Sequence, residues 1–368
     1  MTRDLIICCD GTGNQFGDRN SNIVKLHDCL VSGNANVIAF YDAGVGTFGL
    51  REVLFQWQQL IPRVAGLAFG WGYRHMVERA YRCIAEHYRP GDRVWLFGFS
   101  RGAYIARVVA GMLKGIGLLE RHNLHLFDYA FRLYERSMKR SDADDAGFAT
   151  LKRFGKQFCR PCPVHCLGLF DTVKSVGWFR RWTVLPWTAS NDSVAHVRHA
   201  VSIDERRCFF RTNLWGTPGR SDVREVWFAG VHSDVGGGYP EAESGLSKIS
   251  LHWMLEQSRA LGLPLDEARV SRLLGGGGRY VAPNPGAAQH QSLTGAWWLA
   301  EALLPRRQID RLGRNQGTRW PLLNWSLLGQ PRAIAPESKI HISVQQHQQL
   351  RASYNPPNLP AEPHFVAQ

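Results

Sequence analysis

Five stretches of the chain are apolar almost without interruption: DLIICCD (Asp4 to Asp10), NVIAFYD (Asn36 to Asp42), RVWLFGF (Arg93 to Phe99), VHCLGLFD (Val164 to Asp171) and VREVWFAGV (Val223 to Val231). Strict alternation is missing from them. Both faces of each are therefore expected to be buried, as in parallel strands covered by helices on either side. Between them the period lengthens. GYRHMVERAYRCIAEHYRPGD sets Met76, Ala80, Cys83 and Ile84 on one helical face, and Pro90-Gly91 ends it. GLSKISLHWMLEQSRALGL sets Ile249, Trp253, Met254 and Leu255 near one side. Strand–helix alternation on this scale predicts an α/β fold: a doubly wound, mostly parallel sheet with helices on both faces.

Two regions depart from the alternation. About Leu119 to Gly155 the chain is charged, aromatic and helical in pattern, an insertion that is a candidate cap over the sheet. Past Pro264 it turns rich in Gly and Pro (LLGGGGRYVAPNPGAAQHQ) and then apolar again (TGAWWLAEALLPRRQIDR). The expected division is a core over 1–262, carrying the insertion, and a loop-rich C-terminal extension over 263–368 packed on that core. Trp297, Trp298 and Leu303 with the following arginines are a candidate membrane-facing part of the extension. Leu50 to Gly72, apolar and aromatic, is a candidate lid, with core packing as the competing reading for both. No repeat or low-complexity block interrupts the chain.

Hydrophobic residues make up 44% and charged residues 20% of the 368, the balance of a globular chain with a sizeable core. No uncharged apolar run reaches the length of a membrane span. The N-terminal apolar run is too short for a signal peptide and Asp10 closes it, so the expectation is a protein that starts in the cytoplasm, with export by a signal-independent machine left open. Lys and Arg outnumber Asp and Glu 44 to 31, a net charge of +13, and only eight of the 44 are lysines. Such a surface favours phosphate-bearing partners. The densest basic stretch, Pro305 to Arg319, reads as a solvated face, and no recognition motif for nucleic acid accompanies it. Of eight cysteines, Cys159, Cys162 and Cys166 in CRPCPVHC resemble a metal knuckle beside His165. The paired cluster that a structural zinc site wants is missing, so free thiols are the expectation and no metal is assigned.

The chemistry concentrates where the third apolar run becomes a helix. Gly98-Phe99-Ser100-Arg101-Gly102 is a Gly-x-Ser-x-Gly between a strong strand and an apolar helix, the arrangement of a nucleophile elbow. The serine is forced into a tight turn that leaves no room for side chains two positions away on either side. The helix N-terminus then brings backbone N–H groups beside the hydroxyl, so the N–H of Arg101 is a candidate oxyanion donor. A serine needs a histidine to take its proton and an acid to orient that histidine. In this arrangement the order along the chain is serine, acid, histidine, each at the carboxyl end of a strand. Asp171 and His232, each ending an apolar run, satisfy order and placement together. His341 is the rival base and Asp234 the rival acid. The turn after the first strand, Asp10-Gly11-Thr12-Gly13, is a source for a second oxyanion N–H from Gly11 or Thr12, or a plain turn, with Asp10 either a metal ligand or the anchor of the loop.

Taken jointly, CDGTGN, YDAGVGT, YRPGDRVWLFGFSRGAYIARVVAGML, LGLFDTVKSVG and VWFAGVHSDVGGGYP resemble the large α/β-hydrolase domain family that includes the type VI secretion lipase effectors of the Tle kind. The resemblance implies an α/β-hydrolase-like fold and a serine esterase with Ser100, Asp171 and His232 as its triad. Characterised members are phospholipases. The function expected is therefore cleavage of carboxylic esters, acyl lipids or phospholipids, through an acyl-enzyme and without a cofactor. Peripheral membrane contact and type VI export go with that expectation. A soluble esterase or peptidase on the same triad, or a binding protein that keeps the fold without the chemistry, are the alternatives.

Overall fold

The computed structural model describes residues 2–11, 17–44, 62–137, 145–173, 177–178, 181–182, 185–207, 210, 212–216, 219–275, 278–295, 297–298 and 329–367. Eight strands make the main sheet: β1 (Asp4–Cys9), β2 (Val37–Asp42), β3 (Arg93–Phe99), β4 (Val164–Phe170), β5 (Val194–Ser202), β6 (Asp222–Phe228), β7 (Lys339–His341) and β8 (His364–Val366). Their spatial order is β8-β7-β6-β5-β4-β3-β1-β2, and every neighbouring pair is parallel. This is the doubly wound α/β sheet that the continuous apolar runs predicted.

Alternate residues of the central strands feed two cores, and Val201, Trp227 and Ile340 join a third, smaller one towards the β7 edge. Leu5 and Ile7 of β1 and Leu96 of β3 pack with α2 (Pro62–His87) and α3 (Arg101–Gly115) on one face. Ile6 and Cys8 with Trp95 and Phe97 pack with α1 (Asn22–Asp28) and α7 (Gly245–Ala260) on the other. Each fully buried Leu or Ile contributes about 1.5–3 kcal/mol, which is why uninterrupted apolar runs select this two-sided arrangement. The faces read from sequence are buried in both helices: Met76, Ala80, Cys83 and Ile84 in α2, and Ile249, Trp253, Met254 and Leu255 in α7.

β5 was not among the predicted strands. VAHVRHAVS carries Arg198 and His199 where an apolar run should continue, yet both are buried. Most of their polar atoms are met inside the protein, the Arg198 Nε excepted. Arg198 donates to Asp222 at 2.6 Å, and His199 pairs with Glu225 at 2.6 Å and takes the N–H of Thr172 at 3.2 Å. Pairing removes most of the cost of burying such groups, and hides the strand from a hydrophobicity pattern.

The insertion folds as a short 3-10 turn (Arg121–Leu126), α4 (Phe127–Arg136) and α5 (Asp145–Phe158). Phe127, Phe131, Tyr134 and Phe154 join the core under α2 and α3, so it thickens that helical layer. The chain past residue 263 contributes α8 (Glu267–Leu274), β7, α9 (Ile342–Leu350) and β8. Its two strands continue the main sheet at the β6 edge. Residues 50–61 of the lid candidate, Leu303 and the Pro305 to Arg319 stretch lie outside the described residues. No helix among the described residues is long and apolar enough to cross a membrane.

Strand order reverses at β1, which pairs with both β2 and β3. In open α/β sheets, ligands bind beyond the carboxyl ends of the strands at such a switch point.

Candidate active site

Ser100 sits between β3 and α3, beside that switch point, with φ 59° and ψ −119°. A serine there is strained by about 1–3 kcal/mol, and the surrounding packing must hold it. Its N–H donates to Phe170 O at 3.0 Å, and its carbonyl accepts from Tyr104 N–H at 3.4 Å. The flanking glycines are sterically required. A Cβ on Gly98 would stand 2.5 Å from Ala103 Cα, and one on Gly102 would stand 2.1 Å from Cys9 O.

Sheet register brings the other two side chains to the same edge. Phe99 is level with Phe170, and Phe170 with Ala200, so Ser100 and Asp171 leave adjacent strands at one height. Ser202 is level with Phe228, and the chain leaving β6 reaches α6 (His232–Gly236) after three residues. The His232 Nδ1 to Asp171 Oδ2 distance is 2.5 Å. The imidazole lies between two aromatic rings, Phe99 at 4.7 Å and Phe210 at 4.8 Å between centroids. Asp171 is itself in a left-handed conformation, φ 38°, and Ser202 N–H donates to its Oδ1 at 2.9 Å.

The charges around His232 are arranged in opposed pairs. Burial would raise the Asp171 carboxyl, but the guanidinium of Arg332 and the bond from His232 reverse this and hold it well below the usual carboxylate range. Burial pushes the His232 imidazole below its ordinary value, against the pull of Asp171 and Glu205. The ring is thus neutral at neutral pH, with the proton on Nδ1 facing the carboxylate and Nε2 left to accept one. Nε2 is buried and makes no hydrogen bond among the described residues, so no bond to Ser100 is formed here. Catalytic hydrogen bonds often close only when substrate is bound. Ser100, Asp171 and His232 are all buried.

The remaining candidates divide. Asp10 is fully buried and accepts from Ser21 Oγ at 2.6 Å and Tyr41 OH at 2.8 Å, which makes it the anchor of its turn. The Gly11 N–H is turned onto Asp10 Oδ1 at 2.6 Å, and Thr12 lies outside the described residues. Arg101 is the first residue of α3, next to Ser100. Asp234 takes the Val231 N–H at 3.0 Å and pairs with His290 at 2.6 Å. It does not orient His232. His341 caps α9, bonds Ser343 Oγ at 2.8 Å and stacks on Phe228. Burial lowers it to about 4, and it is paired with no acid among the described residues. No three potential metal ligands come together among the described residues. Cys166 lies within β4, and His165 packs edge-on against Trp95. Trp297 packs on Phe210, while Trp298 is exposed.

Arg332 escaped the sequence reading. It donates to Asp171 Oδ1 at 2.6 Å and Oδ2 at 3.1 Å, and also to Ser202 Oγ at 2.7 Å and Phe210 O at 2.7 Å. Glu205 escaped too: it accepts the His232 N–H at 3.3 Å and is forked by Arg207. Neither stands in a motif, and one of 36 arginines carries no local signal of its partner 161 residues away.

Comparison with known proteins gives the chain a family. The family model described as "T6SS, Phospholipase effector Tle1-like, catalytic domain" matches residues 3–257. The chain belongs to this family. The match takes in the strand ends that carry Ser100, Asp171 and His232 and stops before Arg332. A curated relative, "Uncharacterized protein YEL023C" of Saccharomyces cerevisiae, is 35% identical over 219 residues, 57% of this chain and 32% of the yeast protein. Among solved structures, an uncharacterized protein from Pseudomonas aeruginosa aligns with a TM-score of 0.42 at 19% identity, over 72% of this chain and 47% of that one. The Tle1 effector bound to the VgrG spike of the type VI secretion system aligns with a TM-score of 0.33 at 17% identity, over 74% of this chain and 62% of that one. The chain thus spans about a third of the yeast relative and less than two thirds of either solved chain.

Proposed function

We propose that this member of the phospholipase effector family hydrolyses carboxylic esters of acyl lipids, phospholipids first, through an acyl-enzyme on Ser100. His232 Nε2 takes the Ser100 proton as Oγ attacks the acyl carbon. Asp171 holds the Nδ1–H tautomer and stabilises the imidazolium. The Arg101 N–H, at the start of a 15-residue helix, holds the oxyanion. Thr12, or Gly11 once released from Asp10, supplies the second donor, and each such donor is worth about 3–4 kcal/mol of barrier. His232 then returns its proton to the departing alcohol and activates water to clear the acyl group. Residues 1–262 act as the hydrolase core and 263–368 complete it. Export through a type VI apparatus is part of this reading, and membership of the effector family supports it.

The reading is carried by one observation: a buried Asp171–His232 pair packed against Phe99, the residue preceding a serine held at positive φ. The test is a panel of phospholipid vesicles, a short acyl ester and a peptide, assayed with wild type and Ser100→Ala. Release of fatty acid from the vesicles by wild type and not by Ser100→Ala is expected. Peptide cleavage alone, or equal rates for the two proteins, overturns the reading.

A further inference from the structure

We propose that Arg332 is a positioning residue for this site: its guanidinium fork fixes the Asp171 carboxylate against His232 and balances its charge, so that the resting imidazole stays neutral and able to act as a base. The inference rests on the proposed triad and extends it beyond residue 257, where the family model stops.

The geometry is that of a built clamp. Nη1 and Nη2 of Arg332 take both Asp171 oxygens at 2.6 and 3.1 Å. The same two nitrogens reach Ser202 O at 3.0 Å, Ser202 Oγ at 2.7 Å and Phe210 O at 2.7 Å. One side chain therefore ties the end of β4 to the end of β5 and to Phe210, which packs on the imidazole. Arg332 is held in turn: its carbonyl accepts from Asn358 Nδ2 at 3.0 Å, and the same amide bonds Ile203 O. A planar fork against a carboxylate sets tilt as well as distance, which a lysine cannot do.

Charge counting leads to the same place. Among the described residues, the charged groups that act on His232 are Asp171, just past β4, and Glu205 and Arg207 from the loop after β5; Arg332 from the C-terminal extension acts on Asp171. His199, also near Asp171, is kept neutral by burial. Two carboxylates meet two guanidiniums, Glu205 with Arg207 at 2.9 Å and Asp171 with Arg332. A neutral imidazole completes the balance. Without Arg332, one buried carboxylate is left uncompensated and the imidazole answers it by taking a proton.

The test compares kcat and KM for a short acyl ester across pH in wild type, Arg332→Ala and Arg332→Lys, each checked for folding by circular dichroism. Arg332→Ala is expected to lose about 10²-fold in kcat with KM nearly unchanged. Its acid limb should move to higher pH by about one unit, because His232 then holds its proton longer. Free guanidinium at low, non-denaturing concentration should restore part of the rate. Arg332→Lys keeps the charge without the fork, so its acid limb should stay put while kcat falls. An Arg332→Ala rate within threefold of wild type with an unmoved acid limb overturns the proposal. If Arg332→Ala does not fold, Arg332→Lys decides: wild-type kcat in that variant overturns it. A wild-type protein that hydrolyses no ester instead removes the reading of the site on which the proposal stands.

Discussion

Replacing Asp171 by asparagine separates the site's chemistry from its stability. The asparagine carbonyl can serve only one side of the carboxylate. Oδ2 accepts from His232 Nδ1 and Arg332 Nη2, and Oδ1 from Ser202 N–H and Arg332 Nη1. An amide NH2 on the first side opposes the Nδ1 proton and favours the wrong tautomer, with a loss of about 10⁴ in kcat, equivalent to about 5.5 kcal/mol. On either side, Arg332 loses its counter-charge. Breaking a buried ion pair costs about 3–5 kcal/mol. Arg332 keeps Ser202 O, Ser202 Oγ and Phe210 O as acceptors, so the lower figure, about 3 kcal/mol, applies. The sign with pH follows from the depressed Asp171 carboxyl. Its stabilisation is complete above the unfolded carboxylate's value and is lost as pH falls towards the folded one, so the variant's deficit is full at neutral pH and shrinks in strong acid. Urea unfolding at pH 7 and pH 3 and ester hydrolysis at pH 7 measure both. Adding Arg332→Met should recover part of the stability and none of the rate. An Asp171→Asn protein within 1 kcal/mol of wild type in stability, or within tenfold in rate, refutes the reasoning.

Other substitutions probe the supports of the site. Ser100→Gly relieves the positive φ, so it should raise stability by about 1 kcal/mol in urea melts while abolishing hydrolysis. Gly102→Ala drives a methyl group into Cys9 O and should cost about 3 kcal/mol or leave the protein insoluble on expression. His290 is held above its ordinary value first by its bond to Asp234. Its contribution is complete below the unfolded value and lost as pH rises through the folded one, so His290→Ala should cost about 1 kcal/mol more at pH 5 than at pH 8 in paired melts. His341→Ala should leave the pH–rate profile unchanged, since His341 is bonded to Ser343.

Most of the sheet was legible because its central strands are buried on both faces, and burial of that kind writes an unbroken apolar run. β1, β3 and β4 are readable for that reason. β2, at the sheet edge, and the first half of β6 are only partly buried, with Ala39 and Asp222 exposed, so the expected burial of both faces does not hold there. β5 was not legible, because Arg198 and His199 find their partners on β6 and in the turn after β4. β7 and β8, three residues each, are too short to carry a period. The site followed the same division. Ser100 announces itself through two glycines whose missing side chains are a local steric demand. Asp171 and His232 are readable from their place at strand ends. Arg332, Glu205 and His290 act across tens to hundreds of residues through contacts that only the folded chain creates. Asp234 shows the limit from the other side: it stands two residues from His232 but points to His290.

A fluorophosphonate probe reacts only with a serine that a neighbouring base has activated. The measurement that bears most directly on the account is the mass of the folded wild-type protein after such treatment, followed by mapping of the modified peptide. One adduct on Ser100, absent from Ser100→Ala and strongly slowed in Asp171→Asn, is the predicted result. A folded wild-type protein that takes up no probe, or takes it up on another side chain, contradicts the account.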